Sequence, residues 1–330
     1  MNAGTNDKRS LFIALLTLGA LALLVAAYFS PIWWVALKAP NYPEHTFPDG
    51  IRIHFHVDGV FNGCGVRESK EVFEREALDC KGEMDTINHY VGMYPIAAGA
   101  PVERAFAPFV FALLGLMLVA FNIRGRGPRS AVLAAGCVAI GLWMSAALYA
   151  QGGVELLSPG YLRDLQGTMD LDREDIADWS GFEAMQESYR EALGRYFRDL
   201  TEIERRAQII GTATHVVYGG LLAAMLVLVV GSWTSRPFYW LLIAVPLLLP
   251  LFFVIDYSAW LWWFGHNLST MGAFTVKPFM PTVFGDGKVA QFSTHSYPAY
   301  GFALLVAASL LLAPAMLLRR LQFRDQEVGG

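Results

Sequence analysis

The stretch "NHYVGMYP" (88–95) sets His89 and Met93 four residues apart, just before a proline. Imidazole beside thioether suits copper, and thioether favours the reduced ion. Zinc would more usually want thiolate or carboxylate beside His. Further along lie His266, in "GHNL" (265–268), and His295. The expected metal site uses His89, Met93, His266 and His295. His54, His56, His215 and Asp256 are candidates for a secondary metal or polar site. Each has a packing alternative. His54 and His56 could be the solvated face of a strand, and His215 a satisfied helix histidine. No residue is singled out as catalytic.

These residues must be positioned by a chain that is mostly apolar. Of its 330 residues, 55% are hydrophobic and 16% charged. Soluble domains carry about 25% charged residues, so the composition points to a membrane. The net charge of −4 offers no basic face for nucleic acid. A bilayer core about 30 Å thick needs about 20 apolar residues per helix. Six stretches qualify or nearly so: 11–29, 105–122, 131–150, 209–231, 238–255 and 300–318. The first follows Lys8 and Arg9. Its length, with no clean cleavage site after it, favours an uncleaved anchor over a signal peptide.

Lys8, Arg9, Arg124, Arg126, Arg129, Arg236, Arg319, Arg320 and Arg324 all fall on one side if the chain threads six times. The positive-inside rule makes that side the cytoplasm, with both termini there. The expected class is an all-α integral membrane protein of about six spans, with a small β-containing and helical periplasmic head, in a bacterial inner membrane. The chain divides into 1–29 (tail and first span), 30–104 (first outer segment), 105–150 (hairpin), 151–208 (second outer segment), 209–255 (hairpin), 256–299 (third outer segment) and 300–330 (last span and tail). Trp33–Trp34 and Trp260, Trp262, Trp263 are expected at the outer interface. All seven histidines then lie outside or in an outer half-helix.

"IRIHFHVDGVF" (51–61) alternates strictly and predicts a half-buried strand. Segment 151–208 carries apolar residues at helical spacing and predicts amphipathic helices outside the membrane, as a structural cap or docking arm. "PNYPEHTFPDGIRIHF" (40–55) and "PFMPTVFGDGKVAQF" (278–292) share a Pro-x-x-Pro, Phe-x-Asp-Gly pattern. It is either a coincidence of turn-rich loops or an old duplication whose loops pair into one head. Cys64 and Cys80 lie outside, where two nearby thiols form a disulfide, with a thiolate metal site as the rival.

"KAPNYP" (38–43), "INHYVGM" (87–93), "GHNL" (265–268), "KPFMPTVFG" (277–285) and "VAQF" (289–292) resemble signature stretches of a poorly characterised membrane protein family. That family is associated with bacterial nitrous oxide reductase gene clusters, beside copper-site assembly genes. The resemblance covers roughly a third of the chain. It implies a periplasm-facing accessory role in copper-site maturation, with Asn88, Tyr90 and Asn267 as motif residues. Segment 151–208 and the cysteine pair depart from the family pattern. The partners expected are the bilayer and a periplasmic protein, and copper is the expected cofactor. The alternatives are a metal-free assembly subunit docking through 151–208, and a permease using His215 and Asp256.

Overall fold

A computed structural model of the chain describes residues 3–65, 78–270, 272–289 and 291–328. Met271 lies outside these residues. In chain order, α1 (Ala3–Tyr28) leads into β1 (Trp33–Lys38), β2 (Ile51–His56) and β3 (Gly59–Asn62). Then follow α2 (Cys80–Tyr90), α3 (Pro101–Asn122), α4 (Arg126–Tyr149), α5 (Pro159–Met169), α6 (Arg173–Ile176), α7 (Gly181–Gly194) and α8 (Leu200–Thr234). The chain ends with α9 (Arg236–Leu247), α10 (Leu249–His266), β4 (Gly285–Val289), β5 (Phe292–Pro298) and α11 (Tyr300–Val328).

Helices α1, α3, α4, α8 and α11 are long and apolar enough to cross a bilayer. The fifth apolar stretch, expected as one helix over 238–255, is instead broken: α9 and α10 meet at a 62° bend. Pro246 and Pro250 flank the break, where proline removes a helical donor and crowds the preceding turn. Ser309 Oγ donates to the Leu247 carbonyl at 2.7 Å, satisfying an acceptor at the bend. Counted as one, the bent pair makes a sixth candidate span. Leu15, Leu18, Leu142, Val216, Leu226, Leu310 and Leu317 are exposed on α1, α4, α8 and α11. Uncovered apolar surface of this kind marks a face that meets lipid or another protein.

The sheet is antiparallel, in the order β3-β2-β1-β5-β4. β1 pairs with β5 from Trp33–Pro298 to Lys38–Ser293, so segments 30–104 and 256–299 join in one sheet. The two Phe-x-Asp-Gly copies behave differently. Asp49 and Gly50 form a turn before β2, with Gly50 at φ +73°, whereas Gly285, Asp286 and Gly287 lie within β4. The alternating stretch is a strand as predicted, with Ile51 and Ile53 buried and Arg52 and His54 half-buried. Trp33 starts β1 with 4% of its surface exposed and donates to Ser296 Oγ at 2.9 Å.

Segment 151–208 is helical, and its apolar side is buried rather than offered. Tyr161, Leu162, Leu165, Ala184 and Met185 enter a core shared with α3, α4 and α8. Tyr189, Leu193 and Phe197 enter a second core with β1, β2 and α2. Asp164 of α5, 4% exposed, takes Arg104 Nη1 of α3 at 2.5 Å and Lys81 Nζ of α2 at 2.7 Å. Nearby, Ser158 Oγ donates to the buried Asp58 carboxylate at 2.7 Å. Cys64, after β3, and Cys80, at the start of α2, form a disulfide with Cα atoms 5.9 Å apart.

Candidate functional site

The histidines expected to share a metal have separate partners. His89, in the last turn of α2, packs its ring against Tyr196 and Phe197, with centroids 5.7 and 5.3 Å away. His89 Nδ1 is buried without a hydrogen-bond partner. His266, at the end of α10, stacks on Trp262 and its Nδ1 lies 2.8 Å from the Trp262 carbonyl. His295 of β5 holds Asp286 of β4 at 2.6 Å. Met93 is 4% exposed, in the apolar core that the sheet shares with α2 and α7. No hydrogen bond or ring contact joins His89, His266 and His295 among the described residues. Nor does any group of three His, Cys, Asp or Glu there have the arrangement to hold a metal ion. The copper expectation finds no support in this arrangement.

The secondary candidates are also dispersed. His54 and His56 sit on β2; His56 packs on Phe61 at 4.8 Å. Burial, followed by His54 and Arg163, lowers the His56 pKa to about 4. His215 of α8 is sandwiched between Tyr149 and Phe182 and hydrogen-bonded to the Tyr149 hydroxyl at 2.8 Å. Asp256 is exposed on α10.

The motif stretches nevertheless meet. The turn after α2 is closed by the Asn88 carbonyl, which accepts from Val91 N at 3.2 Å and Met93 N at 2.9 Å. Gly92 has φ +80°, and a Cβ there would lie 2.5 Å from the Ser269 carbonyl oxygen. That close approach lets Ser269 N donate to Gly92 O at 2.7 Å and Phe274 N to Tyr90 O at 3.1 Å. "INHYVGM" and the chain following "GHNL" are thus tied by backbone. Tyr90 is exposed, and the Asn267 side chain turns back to the Trp263 carbonyl of its own helix.

Two cavities lie on either side of this tie. One is a narrow apolar crevice of about 80 Å³ under the sheet. Strand alternation sends Val35 and Leu37 of β1, and Ile53 and Phe55 of β2, to its roof. Met84, Ile87 and Asn88 of α2 form one wall, followed by Val91, Met93 and Ile96. Tyr257 and Leu261 of α10 and Phe279 and Pro281 complete it. The other cavity, about 320 Å³, is polar, lined by Tyr94, Asp199, Glu202, Arg206, Ser269 and Thr270 among others. Arg206 lies 3.9 Å over the Tyr94 ring and donates from Nε to Glu202 at 2.7 Å. Burial raises the Tyr94 pKa. Residues 88–94 are the partition: Asn88, Val91 and Met93 face the crevice, and Tyr94 the polar cavity.

Asn88 stands out within the apolar wall. It is 7% exposed, and its Nδ2 has no hydrogen-bond partner. Sequence reading took Asn88 as architectural and did not single out Arg206, Arg104 or Asp164. One signal did point here: four of the five stretches that carry the family resemblance supply residues to the two cavities. Compared with family models, curated proteins and solved structures, the chain matches none. None of these comparisons links the chain to nitrous oxide reductase clusters.

Proposed function

We propose that the protein is a multi-pass membrane protein, both termini cytoplasmic, whose head on the far side binds an apolar chain of the lipid class. The reading makes it an accessory binding protein rather than a metal donor. One observation carries it. The crevice has walls from all three of the sheet, α2 and α10, and α10 continues the bent pair that makes the sixth candidate span. At about 80 Å³, an apolar slot beside such a helix admits the end of an acyl or isoprenoid chain drawn from the bilayer, not a whole small ligand, whose sites run to about 300–1,000 Å³. Met84 and Met93 in its wall are unbranched and adapt to an irregular chain. The arginines support the orientation. Arg129 reaches the Ser232 carbonyl and Arg9 pairs with Asp325, so both belong to the helix ends opposite the sheet.

Two experiments test this reading. Reporter fusions after Gly127 should be cytoplasmic and after Gly153 on the opposite side. Delipidated full-length protein should bind radiolabelled hexadecane saturably. Val35→Phe fills the slot and should weaken that binding about tenfold, as expected for overpacking by 1–3 kcal/mol. Equal binding by Val35→Phe would remove the crevice as the site. Copper retained at one per chain and lost in His89→Ala would replace the reading altogether.

A further inference from the structure

The polar cavity beyond residues 88–94 carries charge that its internal pairing does not neutralise. Its volume, about 320 Å³, falls within the range of small-ligand sites, about 300–1,000 Å³. Asp199, Glu202 and Arg206 line it, with Tyr94, Ser269 and Thr270. Glu202 is fully engaged. Its Oε1 accepts from Arg206 Nε at 2.7 Å and Arg205 Nη2 at 2.8 Å, and its Oε2 from Arg205 Nε at 2.8 Å. One carboxylate against two guanidiniums leaves a surplus positive charge. Arg205 has a 65% exposed side chain, so the surplus at the cavity belongs to Arg206, held 3.9 Å over the Tyr94 ring. Asp199 is the converse. Its Oδ1 accepts both capping bonds, from Thr201 N at 3.0 Å and Glu202 N at 3.2 Å, and neither uses Oδ2. Its carboxylate is in no ion pair among the described residues.

Long helical side chains lean towards the N-terminus, and Arg206 reaches back to Glu202. Its guanidinium therefore stands one helical turn, about 5 Å, along the axis from Asp199. A simple anion would meet Asp199 and a simple cation would meet Arg206, each a like-charge contact. A group with an ammonium a few ångströms from an anion suits both. Height along α8 favours a phosphate as that anion. The helix has 35 residues and is about 52 Å long, against a bilayer of about 40–45 Å including headgroups. Along the bilayer normal from Thr234, Arg206 comes at about 42 Å, level with the outer headgroups.

We infer that this cavity binds a phosphoethanolamine group, with its phosphate on the Arg206 guanidinium and its ammonium on Asp199 Oδ2. The guanidinium fork matches phosphate oxygens, and both contacts are charge-assisted. The source is a lipid headgroup or a soluble phosphoethanolamine, and the chemistry recognised is the same. The inference takes its membrane orientation from the reading above and is independent of the crevice.

The test titrates full-length protein in detergent with glycerophosphoethanolamine and with glycerophosphoglycerol, which lacks the ammonium, by calorimetry. The first should bind saturably and about tenfold more tightly than the second, the effect of one charge-assisted hydrogen bond. Asp199→Asn keeps a good helix cap and should bring the two probes within about twofold of each other. Arg206→Gln should weaken both about tenfold. Glu204→Gln removes a carboxylate that pairs with Arg190 outside the cavity, and should leave the preference for ethanolamine unchanged. In nanodiscs, added phosphatidylethanolamine should displace the soluble probe and phosphatidylglycerol should not. Saturable binding without such displacement keeps the inference with a soluble ligand as its source. No binding of glycerophosphoethanolamine, equal binding of both probes by the wild type, or an unchanged preference in Asp199→Asn overturns it. Hexadecane binding, measured separately, keeps or removes the crevice reading on its own.

Discussion

Replacing Asp164 with Asn should be among the most damaging single changes where α2, α3, α5 and β3 meet. The Asp164 carboxylate is 4% exposed and receives Arg104 at 2.5 Å and Lys81 at 2.7 Å. It also accepts from Val60 N at 3.3 Å. Three elements, α2, α3 and β3, are thereby fastened to α5. Lys81 is 16% exposed and can turn to water, but Arg104 is 7% exposed and its Nε is already unpartnered. Removing the carboxylate leaves a buried guanidinium without a counter-charge. Breaking one partner of a buried pair costs about 3–5 kcal/mol, much of it the stranded charge. Asparagine keeps an acceptor oxygen, which places Asp164→Asn near the low end, about 3 kcal/mol. Unfolding of the full chain in a denaturing-detergent titration, followed by tryptophan fluorescence, measures the loss. The paired change Asp164→Leu with Arg104→Met removes both charges and should recover most of it. A loss below about 1 kcal/mol in Asp164→Asn, or a double variant no better than the single, would refute the reasoning.

The His56 pKa is lowered from 6.5 to about 4, so between those values the unfolded chain binds a proton that the folded chain refuses. Stability should fall as pH drops from about 6.5 towards 4, and less steeply in His56→Gln; identical slopes would contradict the assignment. Asp58, raised by its own burial, pulls the opposite way, so the variant comparison carries this test. Reducing the Cys64–Cys80 bridge, 16 positions apart, should cost about 3 kcal/mol and free two thiols to alkylation; equal labelling before and after reduction would deny the bridge. Gly92→Ala should lose more than about 1 kcal/mol, since φ is +80° and the new Cβ meets the Ser269 carbonyl; a neutral result would mean the backbone tie is dispensable.

The candidate spans were legible because a run of about 20 apolar residues has few other uses. β2 was legible because Ile51, Ile53 and Phe55 alternate with polar residues. β1 was not: "WWVALK" has no alternation, since the face opposite Val35 and Leu37 carries Trp34 and the buried Ala36 beside Lys38. Two tryptophans after an apolar run read as an interface belt, whereas pairing with β2 and β5 buries Trp33 in the sheet. The break near Leu248 was written in Pro246 and Pro250, but hydropathy alone is indifferent to proline. The start of α8 was also obscured. Its polar first turns, "LTEIERRAQ", are held by the Asp199 cap and by Arg205 and Arg206 pairing with Glu202.

The candidate site was half legible, for a reason that lies in the difference between spacing and facing. His89 and Met93 are four apart, which would set them on one face of a continuing helix. The helix stops at Tyr90, and the left-handed Gly92 turns the chain before Met93. Spacing across a helix end therefore says nothing about shared direction. His89 goes to the aromatic corner of Tyr196 and Phe197, while Met93 goes with Asn88 to the apolar crevice. The same turn explains why the stretch looks like a signature without being a ligand set. It must supply an apolar wall on one side and Tyr94 to the polar cavity on the other. It must also present Gly92 and Tyr90 carbonyls to the chain after α10. A histidine, a glycine, a methionine and a tyrosine in that order meet those demands by packing and backbone geometry. Asn88 adds its backbone carbonyl, which accepts from Val91 N and Met93 N and so closes the turn that separates the two directions.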